Sequence, residues 1–380
     1  MKKRAVSIGL AMAIGAVAAS PAAAQFGIPS GVVKKAQTVK KLSDAKVSDA
    51  EERQIGQEVS DKVVETFGVY QDANVAKYVT LVGAVLAQAS SRPDLDWQFV
   101  VLDTEGVNAF AAPGGFIHIT KGLLGLMKNE SELAGVLGHE IAHVTGKHTV
   151  NAIFKGNLVE AGSDEFGSGG MAQSLIAKVA EKAYSDILNN RFSRGDENDA
   201  DEKGVQLANK VGYAPNGLAS ALNKLIERNK AVTEPNGLFA SHPQMKDRLT
   251  NIDKVIKEKK LTATALVEPR YGKNITFDAK PTASISTVAE GSRGLAGGEE
   301  KKSADADKEK EKKEEPKKSG GMFSKLRPGG GSQAQQSQTV ASAGARGVNP
   351  DRDAVGGPNK KRVPVKIGPN DIAEFQKGIA

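Results

Sequence analysis

The sequence predicts an α+β fold that is mainly helical, with one small sheet. Most apolar residues recur at the spacing of amphipathic helices, and only two short runs are rich in the β-branched and aromatic residues typical of strands. One predicted helix contains the pattern H-E-x-x-H. A chain of 380 residues with ordinary apolar and charged content is long enough for one well-buried enzyme domain with appendages.

The individual elements follow from capping, periodicity and turn residues. Ser48 and Glu51 form a predicted capping box, so the first helix covers about 49–67. The next predicted helices cover about 72–90, a stretch from Gly122, 130–148, 171–190, 197–210, 217–230 and 245–259. The predicted strands are 97–102 and 116–120, with a turn at Pro113-Gly114-Gly115 before the second.

The first 24 residues have the three parts of a bacterial export signal. Met1-Lys2-Lys3-Arg4 is a positively charged head, residues 5–19 are apolar, and Ala22-Ala23-Ala24 fits a small-residue cleavage site. The apolar stretch is short for a membrane-spanning helix. We therefore expect a cleaved signal peptide over 1–24, a periplasmic location, and no integral membrane segment in the mature chain. Residues 25–47 are predicted to be a linker.

Composition divides the rest of the chain. Residues 48–280 are predicted to form the folded domain. Beyond it, Gly, Ser, Ala, Lys and Glu replace large apolar residues, so 282–347 is predicted to be a disordered low-complexity linker. In the final segment, 348–380, apolar residues alternate as in a strand over 363–367, and a short helix is predicted after Pro369. Because apolar residues return there, we expect this strand–helix segment to dock on the folded domain or on a partner.

Charge and cysteine content exclude two kinds of chemistry. The net charge is +7, and the basic residues alternate with acidic ones without a basic, aromatic stripe, so nucleic acid is not an expected partner. The chain has no Cys, which removes thiolate ligands and Cys nucleophiles. Any bound metal must therefore be held by His and carboxylate groups.

His139-Glu140-Ile141-Ala142-His143 is the motif that carries chemistry. Residues four apart share one face of a helix, so both imidazoles can reach one metal ion while Glu140 lies beside it. The flanking residues are apolar and predict a buried helix, in which two His and a Glu are costly unless their polar groups are satisfied. A metal ion would satisfy them. The alternative is a chance match on a surface helix.

Two His ligands require a third protein ligand, with one position left for water. Glu197 is the candidate, and Asp201 follows it four residues later on a predicted helix. One carboxylate can bind the metal, and the other can accept the second N–H of a ligating His. The alternative is an acidic, solvated helix start. Ligation by two His and one Glu favours zinc, with one ion per chain.

Several segments together resemble the gluzincin metallopeptidase family of the CAAX prenyl protease, HtpX and periplasmic BepA. They are Asn108-Ala109-Phe110-Ala111-Ala112-Pro113-Gly114-Gly115 with the strand after it, Gly122-Leu123-Leu124, the metal motif, Ser193-Arg194 ahead of Glu197-Asn198-Asp199-Ala200-Asp201 and Gly204, and Ser241-His242-Pro243 with Arg248. The resemblance covers about residues 48–258 and implies a zincin-like metallopeptidase domain. The family's spanning helices and helical-repeat tail have no counterpart in this sequence, so partner choice and regulation do not transfer.

The resemblance also implies roles for particular residues. Glu197 becomes the third zinc ligand, and Asp201 and Arg248 become residues that support the ligands from behind. His242 becomes either a donor to the oxyanion or a cap on the zinc in a latent state. His148 receives no role and is expected at the surface or at a helix end.

The segment after the glycine turn is a candidate for binding substrate. If it were an edge strand, it could offer backbone groups to an extended peptide, and the glycines would allow close approach. The residues concerned are Gly114, Gly115, Phe116 and Ile117. A simple tight turn is the alternative for the glycines. His118 is expected on the strand bordering the cleft and not as a ligand.

These observations predict a zinc-dependent endopeptidase of periplasmic or envelope proteins, acting in protein quality control, with Glu140 as general base. The expected partners are polypeptide substrates, including unfolded or misassembled envelope proteins, and outer-membrane assembly proteins. One alternative is a chaperone-like assembly factor whose zinc is capped by His242 and which has little basal proteolysis. Another is a non-enzymatic interaction module acting through its tail, although an adaptor would not need Glu140.

Overall fold

The computed structural model describes residues 47–156, 166–167, 170–171, 173–189, 192–230, 242, 245–282, 287–289, 339–341 and 358–379. The predicted signal peptide over 1–24 lies outside these residues, as do nearly all of the linker over 25–47 and most of the predicted disordered segment over 282–347. The predicted domain boundaries therefore stay predictions.

Helices make up most of the described chain. They are α1 (Asp49–Phe67), α2 (Ala73–Ala89), α3 (Lys121–Leu126), α4 (Glu130–Thr145), α5 (His148–Gly156), α6 (Gln173–Asn189), α7 (Arg194–Lys210), α8 (Gly217–Arg228), α9 (Met245–Glu258), α10 (Glu268–Asn274) and α11 (Pro369–Lys377). Within the described residues, none of these helices has both the length and the apolar character needed to cross a bilayer.

A small three-stranded sheet supplies the β component. Its strands are β1 (Gln98–Leu102), β2 (Ala109–Ala112) and β3 (Phe116–Thr120), and β3 lies in the centre, parallel to β1 and antiparallel to β2. Two pairs of very short antiparallel strands follow, β4 (Phe166–Gly167) with β5 (Gly170–Met171), and β6 (Thr287–Ala289) with β7 (Thr339–Ala341). The predicted α+β, mainly helical fold is confirmed.

The core forms around α4, the helix of the H-E-x-x-H motif. Every residue of α4 from its first to Val144 is buried, because α2, α7 and α8 surround it and the sheet packs against it. Its apolar side chains join those of β3 in one cluster, including Leu137, Ile141, Ile117 and Ile119. The motif is thus held inside the domain and not on its surface.

The prediction of an edge strand after Gly114 and Gly115 is wrong. Phe116 and Ile117 lie in β3, which has a partner strand on each side. Gly114 packs on α1, where a Cβ at this position would lie 2.7 Å from Arg53 Cα, so the glycines form the tight turn that was the alternative. Strand order depends on pairing between distant segments, which local alternation does not reveal.

The helix predicted over 130–148 also ends early. α4 stops at Thr145, Gly146 forms its cap, and Lys147 adopts a left-handed conformation with φ of 53°. This conformation is uncommon outside glycine and cannot continue a helix. A separate helix, α5, therefore begins at His148.

The C-terminal segment over 358–379 docks on the folded domain, as predicted. The carbonyl oxygen of Asn359 accepts a hydrogen bond from Val69 N at 2.7 Å, and Val69 forms a bridge to Leu102 of β1. The segment therefore attaches to Val69, which lies beside the end of β1. The strand predicted over 363–367 is absent, because Pro364 has no N–H to donate to a ladder.

The last helix of this segment packs on α2 and is linked to the start of the motif helix through Arg270. Ile372 and Ile379 are buried in the core. The ring of Phe375 lies 3.9 Å from the guanidinium of Arg270, and Arg270 forms an ion pair with Glu130, the first residue of α4. The C-terminal segment is therefore part of the packing around α4.

Replacing Ile379 tests this packing. Its side chain is 2% exposed, so Ile379→Ala should lower the free energy of unfolding by about 2–5 kcal/mol through lost burial and a cavity. Lys377→Ala removes an exposed side chain two residues earlier, at the end of α11, and should change the free energy of unfolding by less than about 0.5 kcal/mol. Urea denaturation measures both variants, and equal stabilities would contradict the docking of this segment.

Candidate metal centre

The two helices that carry the predicted ligands touch through their backbones. A Cβ on Gly138 of α4 would lie 2.8 Å from the carbonyl oxygen of Gly204 in α7, and a Cβ on Gly204 would lie 2.6 Å from His139 N. Only glycine at these two positions permits so close an approach. The contact brings His139 against the turns of α7 that carry Glu197 and Asp201.

Four side chains present ligand atoms to one point. They are His139, His143, Glu197 and His242, whose ligand atoms lie within 4.8 Å of one another, and all four residues are buried. The Nε2 atoms of His139 and His143 are 3.1 Å apart. Glu197 Oε1 lies 2.8 Å from His242 Nδ1 and 3.5 Å from His143 Nε2. Of the described residues, this group could hold a metal ion.

The donor set fits a metal ion. Two imidazole nitrogens that face each other, as those of His139 and His143 do, cannot both accept without a cation or proton between them. Burying such groups without compensation is costly, whereas imidazole and carboxylate are ordinary ligands of zinc. The buried Oε1 of Glu140 has no hydrogen-bond partner in the described part of the chain, and it lies 3.8 Å from His242 Nε2.

Burial sets the protonation of the motif residues. It raises the pKa of Glu140 above 4.5, although the neighbouring His242 and His139 oppose this shift. Burial also lowers the pKa of His143 well below 6.5, with the charges of neighbouring imidazoles adding to the effect. A neutral His143 is the form that binds metal, and a carboxylate with a raised pKa is suited to accept a proton.

Asp201 and Arg248 lie directly behind His139. Asp201 Oδ1 is 2.9 Å from His139 Nδ1, and Arg248 donates to both Asp201 oxygens at 2.8 and 2.6 Å. Burial opposes ionisation of Asp201, but the charge and hydrogen bonds of Arg248 outweigh it and lower the Asp201 pKa from 3.8 to about 2. The ionised carboxylate orients His139 so that Nε2 faces the other ligand atoms.

His242 belongs to the ligand group itself. Burial lowers its pKa, but the adjacent Glu197 carboxylate outweighs burial, so the pKa of His242 is raised above 6.5. A protonated His242 could donate a hydrogen bond, and a neutral one could bind a metal. The position is therefore compatible with both roles that the family resemblance implies.

His148 is the residue that sequence reasoning missed. It is the first residue of α5, which agrees with the expected helix end, but it is 6% exposed and so not at the surface. Its Nδ1 lies 3.0 Å from His143 Nδ1, and its Nε2 lies 3.1 Å from Asp199 Oδ2. The spacing from the motif gave no sign of this contact, because it depends on the left-handed turn at Lys147.

Two further aromatic residues differ in their relation to the site: Phe192 contacts it, and His118 does not. The ring of Phe192, which drew no attention in the sequence, has its centroid 4.1 Å from that of His143. His118 lies in β3, apart from the ligand group, and its Nε2 contacts Ser60 Oγ at 2.7 Å. Burial lowers the pKa of His118 to about 3, so this residue is a neutral part of the core and not a member of the metal group.

A buried H-E-x-x-H helix with a carboxylate from a second helix defines a metallopeptidase site. Residues 73–256 match the model of peptidase family M48. This part of the chain is therefore similar to the metallopeptidases of family M48. The matched range contains every residue of the ligand group.

Curated relatives match over the same region. The beta-barrel assembly-enhancing protease of Yersinia pestis is 27% identical over 194 residues, which are 47% of this chain and 38% of the relative. Metalloprotease LoiP of Escherichia coli (strain K12) is 27% identical over 216 residues, 56% of this chain and 81% of the relative. Mitochondrial metalloendopeptidase OMA1 of Schizosaccharomyces pombe is 26% identical over 181 residues, 48% of this chain and 53% of the relative. The match spans 38% to 44% of the assembly-enhancing proteases from Yersinia pestis and Escherichia coli.

The glycine contact between α4 and α7 can be tested with two substitutions in one helix. Gly204→Ala places a methyl group against the backbone of α4, and overpacking of this kind costs about 1–3 kcal/mol. Gly195→Ala, in the first turn of α7, meets nothing closer than 3.6 Å and should not lower the free energy of unfolding by more than about 0.5 kcal/mol. We expect urea denaturation to show that only Gly204→Ala is destabilised, and dialysis to show that it binds less zinc. Equal behaviour of the two variants would contradict this role for the contact.

Proposed function

We propose that the chain is a zinc-dependent endopeptidase whose metal is held by His139, His143 and Glu197, with Glu140 as general base. The observation that carries this proposal is the convergence of four buried side chains beside a Glu140 oxygen that has no hydrogen-bond partner among the described residues. The match to peptidase family M48 supports the same reaction class. When bound, zinc supplies a Lewis acid that activates water and polarises the scissile carbonyl.

The chain's own residues divide the remaining work. Glu140 takes a proton from the attacking water and passes it to the leaving amine, a task that its raised pKa favours. Asp201 accepts the Nδ1 proton of His139, which leaves the Nε2 lone pair free for ligation. When His242 is protonated, it can donate to the oxyanion that develops on the scissile carbonyl.

An extended substrate would pair with β2 and not with β3, and only after a movement that uncovers β2, because all four of its residues are buried. At the other end of the sheet, Val69 forms a bridge to Leu102 of β1. β2 has β3 as its one partner among the described strands, and it packs against α4. Pairing through backbone groups accepts many sequences, which suits a protease of varied, unfolded polypeptides.

We further propose that the protein acts in the periplasm, in quality control of unfolded or misassembled envelope proteins, with outer-membrane assembly proteins as partners. The export pattern over residues 1–24 supports this location. Relatives named beta-barrel assembly-enhancing proteases support the process. The location and the process are supported by similarity to these relatives and by the N-terminal pattern, whereas the proposed reaction is supported by the geometry of the site.

The central experiment compares the purified chain with Glu140→Gln. Loss of the general base should reduce casein cleavage by about 10²- to 10⁴-fold, while zinc stays near one ion per chain because Glu140 is not a ligand. Removing the metal with a chelator should abolish cleavage, and added zinc should restore it. Cleavage is measured by release of labelled peptides, and zinc by elemental analysis.

Glu258→Gln is the matched control, because it makes the same change at a side chain that is 61% exposed at the end of α9. It should cleave casein at the rate of the unmodified chain. If neither the unmodified chain nor Glu140→Gln contains a metal ion, the proposed zinc site is wrong. Equal cleavage by these two proteins would remove Glu140 from the mechanism.

A second candidate function is an assembly factor with a latent protease site. The observation that favours it is the position of His242, whose Nδ1 lies 2.8 Å from Glu197 Oε1 inside the ligand group. With His242 in this position, all four ligand residues and Glu140 are buried, so a peptide cannot reach them. Such a protein would bind polypeptides in the cleft and cut them only after His242 moves.

His242→Ala separates the two roles of this residue. If His242 caps the metal, its removal opens a ligand position, so we expect casein cleavage to rise while zinc content stays near one per chain. The double variant with Glu140→Gln should again be inactive, which shows that the gained cleavage uses the same base. A fall in cleavage in His242→Ala would instead support the oxyanion role and contradict latency.

A further inference from the structure

We propose that Asp199 and His148 form a hydrogen-bond chain that holds His143 as a metal ligand. This inference rests on the proposed zinc site and adds two positioning residues to it. Neither residue touches the point where the four ligand atoms converge. Each acts through its neighbour, so the chain runs from Asp199 through His148 to His143.

The distances define an unbroken path. His148 Nδ1 lies 3.0 Å from His143 Nδ1, and His148 Nε2 lies 3.1 Å from Asp199 Oδ2. The rings of His143 and His148 are nearly perpendicular, at 86°, with centroids 4.9 Å apart. His143 is 1% exposed and His148 is 6% exposed, so little water can compete for these bonds.

Metal ligation fixes the direction of every hydrogen bond in this path. His143 faces the other ligands with Nε2, so that nitrogen must keep its lone pair and the ring proton sits on Nδ1. That N–H donates to His148 Nδ1, which therefore accepts, and the proton of His148 sits on Nε2. The Nε2–H donates to Asp199, whose ionised carboxylate can only accept. The three side chains thus select the tautomer of His143 that ligation requires.

The turn between α4 and α5 is built to bring His148 back over His143. A Cβ on Gly146 would lie 2.4 Å from His148 Nε2, so glycine leaves the space that the ring occupies. Lys147 takes the left-handed conformation that ends α4, and its ammonium group contacts Asp49 and Glu52 of α1 at 3.1 and 2.9 Å. Gly146 and Lys147 together therefore place the imidazole of His148.

The two His ligands of α4 have different supports. His139 is oriented directly by Asp201, which is buried and paired with Arg248. His143 is oriented through an interposed imidazole by Asp199, whose side chain is 38% exposed and also contacts Lys203 at 2.7 Å. Ligand-supporting hydrogen bonds of this kind typically alter metal affinity by about 10- to 100-fold when removed.

The test measures zinc affinity of the purified full-length chain by competition with a chromophoric chelator. His148→Leu keeps an apolar side chain in the space but removes the acceptor. His148→Asn places Oδ1 near the position of Nδ1, so it can still accept from His143 but cannot reach Asp199. Asp199→Ala removes the last acceptor of the hydrogen-bond chain. Lys203→Ala is the matched control, because it removes the other partner of Asp199 and leaves the hydrogen bonds among Asp199, His148 and His143 in place.

We expect His148→Leu to weaken zinc binding by about 10- to 100-fold, and His148→Asn and Asp199→Ala to weaken it less. Lys203→Ala should bind zinc as the unmodified chain does. The absorption bands of bound Co²⁺ should shift in His148→Leu and remain in Lys203→Ala, since they report the ligand field. Thermal unfolding of the metal-free proteins identifies any variant that has lost its fold, and the comparison then rests on His148→Asn and Asp199→Ala.

A purely space-filling role for His148 predicts that His148→Leu binds zinc as well as, or better than, His148→Asn. That result, with unchanged Co²⁺ bands, would overturn the hydrogen-bond chain while leaving the metal site in place. Glu197→Ala tests whether the proposed metal site itself is wrong. If it binds zinc as tightly as the unmodified chain, or if the unmodified chain binds none, the proposed metal site falls and this inference falls with it.

Discussion

The glycine contact between α4 and α7 is the constraint on which the site depends. Gly138 and Gly204 let the two backbones meet, and an imidazole and a carboxylate can converge on one ion only when their helices are this close. A larger residue at either position would push the helices apart. Ligand distances tolerate changes of only about 0.2 Å, so separation of the helices would remove the geometry before it removed the fold.

Close helix packing also buries several charged side chains, and ion pairs with oppositely charged groups stabilise them. Asp201 is ionised because Arg248 and His139 contact it, and Arg248 also lies 3.0 Å from Glu197. Burying an unpaired carboxylate costs several kcal/mol, whereas a fully hydrogen-bonded network recovers most of that cost. The polar groups behind the ligands thus allow the site to be buried at all.

Local signals in the sequence predicted most helices, because caps and apolar periodicity are properties of short segments. The capping box at Ser48 and Glu51 is present as predicted. The side chains of His139, His143, Glu197 and His242, which the sequence had singled out, lie together. Pairing between distant segments could not be predicted, because no short segment of the sequence records it. The central position of β3 and the short helix Glu268–Asn274 had no local signal, and the pattern over 363–367 misled because Pro364 cannot pair.

His148 shows most clearly where sequence reasoning ends. Its part in the site depends on the φ angle of Lys147 and on the missing side chain of Gly146, neither of which a motif records. Two kinds of element carry the residues of the candidate metal site. His139, His143 and Glu197 lie on two helices that pack on each other, whereas His242 lies ahead of α9 and its imidazole contacts His139 and Glu197. If His242 caps the zinc, as the second candidate function requires, its displacement would change access to the site while the two helices that carry the other three proposed ligands stay packed.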